Sequence, residues 1–144
     1  MGEQAASGDR LFRSIAAAKP KLVAGVPDGM LAETIGVACG AAMAGERAVV
    51  LVQNAGLLNS IGAFATMALR YQLPFVVLVT NRGVLADPNS YDIEKYMAFE
   101  ASVKTLTPVF SYAAASMPDD LVSAAFKWAE AARRPAVIAL EKSL

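Results

Sequence analysis

Four residues able to orient a small ligand lie within one heptapeptide: Gln53, Asn54, Gly56 and Asn59 of Gln-Asn-Ala-Gly-Leu-Leu-Asn. A carboxamide donates and accepts hydrogen bonds without carrying charge, and a glycine lets a ligand approach the backbone closely. Arg82 adds a guanidinium fork suited to a carboxylate, sulfonate or phosphonate. Glu33 is a carboxylate able to accept strongly from a ring N–H. Pro27 and Asp28 stand in a turn. The common chemistry is the binding and orientation of a polar or anionic small molecule. Each residue also has a plainer role: Gln53 and Asn54 as a turn with an Asx-type cap, Asn59 as a partner for loop carbonyls. Asp28 can cap the next element, Arg82 can form a surface ion pair, and Glu33 can complement a helix dipole.

The flanking patterns place these residues. Ala48-Val49-Val50-Leu51-Val52 is a short apolar run, as expected of a strand buried on both faces. From Leu58 to Arg70, Ile61, Phe64, Ala65 and Ala68 recur at helical spacing. Polar residues and a glycine at the carboxyl end of a buried strand, entering a helix, mark the ligand edge of an open α/β sheet. A helix N-terminus there favours an anionic or polar ligand.

The remaining elements alternate. Ser7 is expected to cap a helix from Gly8 to about Lys19, ended by Pro20. Leu22–Gly25 reads as a strand and Val26-Pro27-Asp28-Gly29 as a turn. Glu33–Ala44 is a small-residue helix closed by Gly45. A helix over about 57–70 leads to a strand over 74–80 and a loop over 81–93 with Arg82, Asp87, Pro88 and Asn89. A helix over 93–104, a short strand near 108–112, and a helix from Pro118 to about Arg133 capped by Ser116 follow. Ala136–Leu140 is the last strand. The fold class is α/β: an open, mainly parallel sheet with helices on both faces. Between Gly25 and Glu33 the chain is short for a separate crossover of about a dozen residues. Either a further helix and strand belong between about Asp28 and Ala32, or the helix at 33–44 is the only crossover.

Composition narrows the function. The 144 residues form one domain, 56% hydrophobic, a surplus that suggests a face buried against another chain. Lys+Arg and Asp+Glu are 13 each, so nothing points to nucleic acid or an anionic membrane as partner. No apolar run reaches the roughly 18 residues of a transmembrane helix. The polar start, with two acidic residues before Arg10, is not expected to be a signal peptide. The single cysteine, Cys39, excludes an internal disulfide, fits a cytoplasmic setting and reads as a helix-packing residue. With no histidine, neither a Ser-His-Asp triad nor a histidine-ligated zinc site can form within the chain, and no metal site is expected in it. Met30, Met43, Met67, Met97, Phe126 and Trp128 read as core or interface.

Four segments in order carry a family resemblance: Gly25-Val26-Pro27-Asp28, the small-residue run Ile35–Gly45, Val52–Ser60 around the heptapeptide, and Thr80-Asn81-Arg82-Gly83. Together the sequence resembles the pyrimidine-binding domain of thiamine-diphosphate-dependent decarboxylases, nearest to the sulfopyruvate and phosphonopyruvate decarboxylases. The resemblance implies a decarboxylase acting on a small anionic 2-oxoacid such as sulfopyruvate or phosphonopyruvate, with thiamine diphosphate and Mg2+ as cofactors. A carboxylate of this domain would bond a ring nitrogen of the cofactor, which carries the chemistry as electron sink.

It further implies Glu33 as the activating carboxylate, Pro27, Asp28, Gln53, Asn54, Gly56 and Asn59 at the cofactor, and Arg82 at the substrate. The family's diphosphate-binding half, which holds the magnesium, has no counterpart in these residues. The resemblance therefore implies a separate β subunit, a site between the two chains, and a hetero-oligomer of α2β2 size or larger. It places the activating glutamate after a second strand, just ahead of the helix matching 33–44, so a segment between about Asp28 and Glu33 would be left out. Related chemistry with the same cofactor would be carboligation to an aldehyde. A subunit of this fold that binds without catalysing is the other reading.

Overall fold

The computed structural model describes residues 2–25, 32–85, 87 and 92–141, with backbone only for residues 2–7 and 32. Five strands form one parallel sheet: β1 (Leu22–Gly25), β2 (Ala48–Gln53), β3 (Val76–Thr80), β4 (Val109–Ala113) and β5 (Ala136–Glu141). Their order is β1-β2-β3-β5-β4, so the last strand in sequence lies inside the sheet and β4 lies at an edge. Register is continuous across the middle: Val50 pairs with Val77, and Val77 with Val137.

The apolar runs read from the sequence are the central strands because both of their faces are covered. Val50, Val52, Val77, Val79 and Ala139 face α2 (Ala32–Met43), the helical stretch over 54–69 and α5 (Ile93–Lys104). Val49, Val76, Leu78, Ile138 and Leu140 face α1 (Gly2–Ala18) and α6 (Leu121–Ala132). Phe64 and Phe75 meet edge-to-face at 6.3 Å in the first layer. Arg47 stacks on Phe126 at 5.1 Å and pairs with Glu130 at 2.9 Å in the second. Trp128 packs at 5.2 Å against Phe110 of the edge strand, a packing role as expected.

Among the described residues the β1-to-β2 connection runs through the helix expected at 33–44, the second of the two routes left open by the sequence. The two strands are parallel neighbours, Leu22 opposite Ala48, and α2 is the only helix or strand between them among the described residues. The expected extra helix and strand near 28–32 fall on residues outside the described ones. Gly45 closes α2 as expected, at φ 78°.

Three helix starts differ from expectation. The first helix begins at Gly2, not after Ser7, because Gly8 is accommodated inside it. The helix expected over 57–70 begins directly after β2: α3 is Asn54–Asn59, followed by α4 (Ile61–Ala63) and a π-helical segment over Phe64–Leu69. Between α3 and α4, the Ser60 hydroxyl donates to the Gly56 carbonyl at 2.7 Å. The last helix begins at Leu121, and Ser116 is not its cap; its hydroxyl bonds the Ala113 carbonyl at 3.3 Å. The cap comes from another element. Buried Ser14 of α1 accepts from the Val122 N–H at 3.1 Å, satisfying one of the orphan donors of the α6 N-terminus.

Candidate active-site cleft

The carboxyl ends of β1, β2 and β3 converge on a cleft of about 670 Å³. Val23, Leu51, Leu78 and Leu140 form its apolar floor, Leu11 of α1 one wall, and Gln53, Thr80 and Arg82 its polar edge. Gly25 lets β1 lie close to β2 here: a Cβ on it would meet the Leu51 carbonyl oxygen at 2.4 Å. Gln53 is opposite Thr80 in register, so two polar side chains share one rim of the sheet. The half-buried Gln53 makes no side-chain hydrogen bond to described residues, so its carboxamide is free to meet a ligand.

Asn54, one residue on, is turned the other way. It is fully buried. Its Nδ2 donates to the Arg82 carbonyl at 2.8 Å and to Asn81 Oδ1 at 3.1 Å, while its Oδ1 accepts from the Ala55 N–H at 3.0 Å. Asn54 thus clamps the end of β2 to the end of β3. The Ala55 contact is to the next residue and is not the expected Asx-type cap, which reaches two residues on; the two long-range bonds fix the side chain.

Arg82 lines the cleft, but its guanidinium is already engaged. It forks onto Asp87, Nε at 2.5 Å and Nη2 at 3.1 Å, and lies 3.6 Å from Asp92, which in turn pairs with Lys95 at 2.7 Å. Gly83 completes the corner at φ 86°, its N–H donating to Asp87 at 3.1 Å. The cluster of Arg82, Asp87, Asp92 and Lys95 is formally neutral, so no uncompensated positive charge faces the cleft from it.

The other candidates are spread out. Gly56 is buried inside α3. Asn59 is exposed at the end of that helix. Glu33 is exposed in the first turn of α2 and is not among the residues that line the cleft. Pro27 and Asp28 lie outside the described residues. Among the described residues no group of His, Cys, Asp or Glu is arranged to hold a metal ion, and no helix is long and apolar enough to cross a membrane. Cys39 is fully buried, and burial pushes its thiol up to about 11.

No protein-family model matches the chain. Three curated proteins of methanogenic archaea do, all sulfopyruvate decarboxylase α subunits. That of Methanocaldococcus jannaschii is 33% identical over 67 residues, 46% of this chain and 40% of the relative. That of Methanococcus maripaludis is 38% identical over 61 residues, 42% and 36% of the two chains. That of Methanothermobacter thermautotrophicus is 43% identical over 51 residues, 35% and 31% of the two chains. This chain is a partial homologue of sulfopyruvate decarboxylase α subunits. The matched stretch spans two-fifths or less of each relative's length. The five-stranded parallel sheet agrees with the fold expected from the resemblance to this decarboxylase family.

Thr80 and Leu11 line the cleft but escaped the sequence reading as site residues, as did Asn81 just behind its rim. Thr80 and Asn81 belong to the Thr-Asn-Arg-Gly segment, and their position directly after a buried strand was the signal. Leu11 had no signal, since only the packing of α1 on the sheet brings it there. What the cleft itself supplies is an apolar floor, an unengaged carboxamide and a hydroxyl. No carboxylate, thiol or imidazole stands among its described lining residues.

Proposed function

We propose that this chain is the pyrimidine-binding α subunit of a thiamine-diphosphate- and Mg2+-dependent 2-oxoacid decarboxylase, acting on sulfopyruvate or phosphonopyruvate. The observation that carries the reading is the cleft at the carboxyl edge of β1–β3, with the Gln53 carboxamide of the Gln-Asn-Ala-Gly-Leu-Leu-Asn segment at its rim. An apolar floor with one unengaged carboxamide suits a flat, weakly polar heterocycle. The group's residues fit in part: Gln53, with Pro27 and Asp28, would meet the ring, and Asn54 would hold the end of β2 from behind. Glu33 is the proposed activating carboxylate. When bound, the cofactor supplies the electron sink for loss of carbon dioxide. Diphosphate and magnesium would be held by a β subunit, with the site between the chains. The apolar residues exposed on α2, Val37 and Met43, suit a face covered by a partner.

A second reading, a subunit that binds but does not activate, is favoured by one observation: Glu33 is exposed and does not line the cleft. The experiment that separates the two is co-purification of the chain with its partner, followed by release of carbon dioxide from sulfopyruvate with thiamine diphosphate and Mg2+. The decarboxylase reading expects turnover by the pair, none by this chain alone, and loss of at least about a hundredfold in kcat for Glu33→Gln. Turnover by the pair that is unchanged in Glu33→Gln would assign activation to another carboxylate. No turnover by the pair, with the cofactor still bound, would establish the binding-only subunit.

A further inference from the structure

β4 lies at the edge of the sheet opposite β1. It pairs with β5 over all five of its residues in unbroken register, and residues 109–112 make no other backbone hydrogen bond among the described residues. Alternate N–H and C=O groups along the strand therefore face outward without a partner there. Edges of this kind usually carry a charge, a proline or a bulge that deters a second strand. Val109-Phe110-Ser111-Tyr112-Ala113 carries none of these.

The strand is also incompletely covered on its α6 face. Phe110 packs edge-to-face on Trp128 at 5.2 Å, yet Phe110 and Tyr112 are only half-buried. With Leu121, Trp128 and Ile138 they line an open pocket of about 240 Å³ that has no charged residue in its lining. Ser111, between the two aromatics, is on the other face of the strand and is exposed. One strand thus offers both an open backbone edge and an uncovered apolar face, which suits a partner that is itself an aromatic-bearing strand.

β4 is complementary to itself. Antiparallel pairing about a two-fold axis at Ser111 sets Phe110 opposite the second copy's Tyr112, Val109 opposite its Ala113, and Ser111 opposite its Ser111. Opposed residues in an antiparallel ladder alternate between bonded and non-bonded pairs, so this register closes whichever alternate groups face outward. It forms two aromatic cross-strand pairs on the pocket face. The charges agree with it. α6 begins at the carboxyl edge of the sheet, just after Asp119 and Asp120, and ends at the amino edge, just before Arg133 and Arg134, all four exposed. The axis turns one copy end for end, so the acidic end of each α6 lies towards the basic end of the other on the same face. We propose that β4 is the contact of a symmetric homodimer, in which two five-stranded sheets join edge to edge through antiparallel β4 strands. This surface shares no lining residue with the main cleft and does not require the decarboxylase reading.

The test is sedimentation equilibrium of the full chain, from about 1 μM to about 200 μM. A concentration-dependent rise to twice the mass of one chain is expected. Ser111 is the residue that meets its own copy, so a charge placed there is repeated directly opposite. Ser111→Lys and Ser111→Glu are each expected to weaken the dimer by at least about tenfold, and an equal mixture of the two to restore it, because the axis then carries opposite charges. Amide hydrogen exchange of the wild-type chain is the second readout: residues 109–113 are expected to gain protection as concentration rises. A wild-type chain that stays monomeric over the whole range would overturn the proposal. So would a dimer that neither charge weakens, a loss in both folded variants that mixing does not rescue, or a dimer whose β4 amides exchange as fast as the monomer's. The wild-type mass and exchange decide the matter even if a variant does not fold.

Discussion

Asn54→Ala is expected to destabilise the chain by about 3 kcal/mol, although it sits in the segment that most resembles a ligand site. The figure follows from what Asn54 touches. Truncation removes donors from the Arg82 carbonyl at 2.8 Å and Asn81 Oδ1 at 3.1 Å, and an acceptor from the Ala55 N–H at 3.0 Å. Two of these partners lie across the sheet edge in buried or part-buried surroundings, and each buried group left unmatched costs about 1–3 kcal/mol. The Ala55 N–H, in the first turn of a helix, recovers part of its loss through water. Equilibrium urea unfolding measures the sum; with a slope near 2 kcal/mol/M, the midpoint falls by roughly 1.5 M. Gln53→Ala is the matched control. Its side chain makes no bond to described residues, so its effect on stability stays within about 0.5 kcal/mol. A loss below about 1 kcal/mol for Asn54→Ala, or equal losses for the two variants, would refute the assignment of Asn54 to the frame and Gln53 to the ligand.

Gly83→Ala places a Cβ at φ 86° and about 2.1 Å from the Asp92 carbonyl oxygen, and should cost roughly 2 kcal/mol or more by urea unfolding. Arg82→Lys loses the two-pronged contact to Asp87 and keeps the charge; about 1 kcal/mol less stability is expected, with proteolysis of the following loop as a second readout. The Cys39 thiol, raised by burial from 9.0 to about 11, should resist iodoacetamide at pH 8 in the folded chain and react promptly in urea. Between those two values the unfolded chain has lost the thiol proton while the folded chain keeps it. The stability due to this group is therefore full below about pH 9 and falls as pH rises towards 11, which unfolding curves at stepped pH would follow.

The parts of the fold legible in sequence were those fixed by local pattern. The runs at 48–52 and 136–140 are strands whose near-continuous apolar pattern reflects two covered faces, and the 93–104 helix lies where its spacing predicts. What was not legible depends on contacts between distant residues. The α6 cap is Ser14, 108 residues from the N–H it accepts, so a search near the helix start found Ser116 instead. The early start of α3 depends on Asn54 being held from β3, which no local rule contains. In the candidate site, the heptapeptide was visible as a unit, but its division was not. Gln53 and Asn54 are adjacent carboxamides with opposite surroundings, and strand alternation alone does not say which one the core will claim. Arg82 was recognised as a fork for an anion; that the same fork also meets Asp87 was not legible in the sequence.

The strand order carries a consequence for how the chain is made. β5, synthesised after every other strand, is the one that joins β4 to the rest of the sheet. Until residues 136–141 leave the ribosome, β3 presents an open, largely apolar edge and β4 has no neighbour in the sheet. Until then the nascent chain holds two templates for strand addition by other chains, the situation in which aggregation competes with folding. Closure of the sheet waits on β5, and a polypeptide that stopped before residue 136 would hold four strands and no complete sheet.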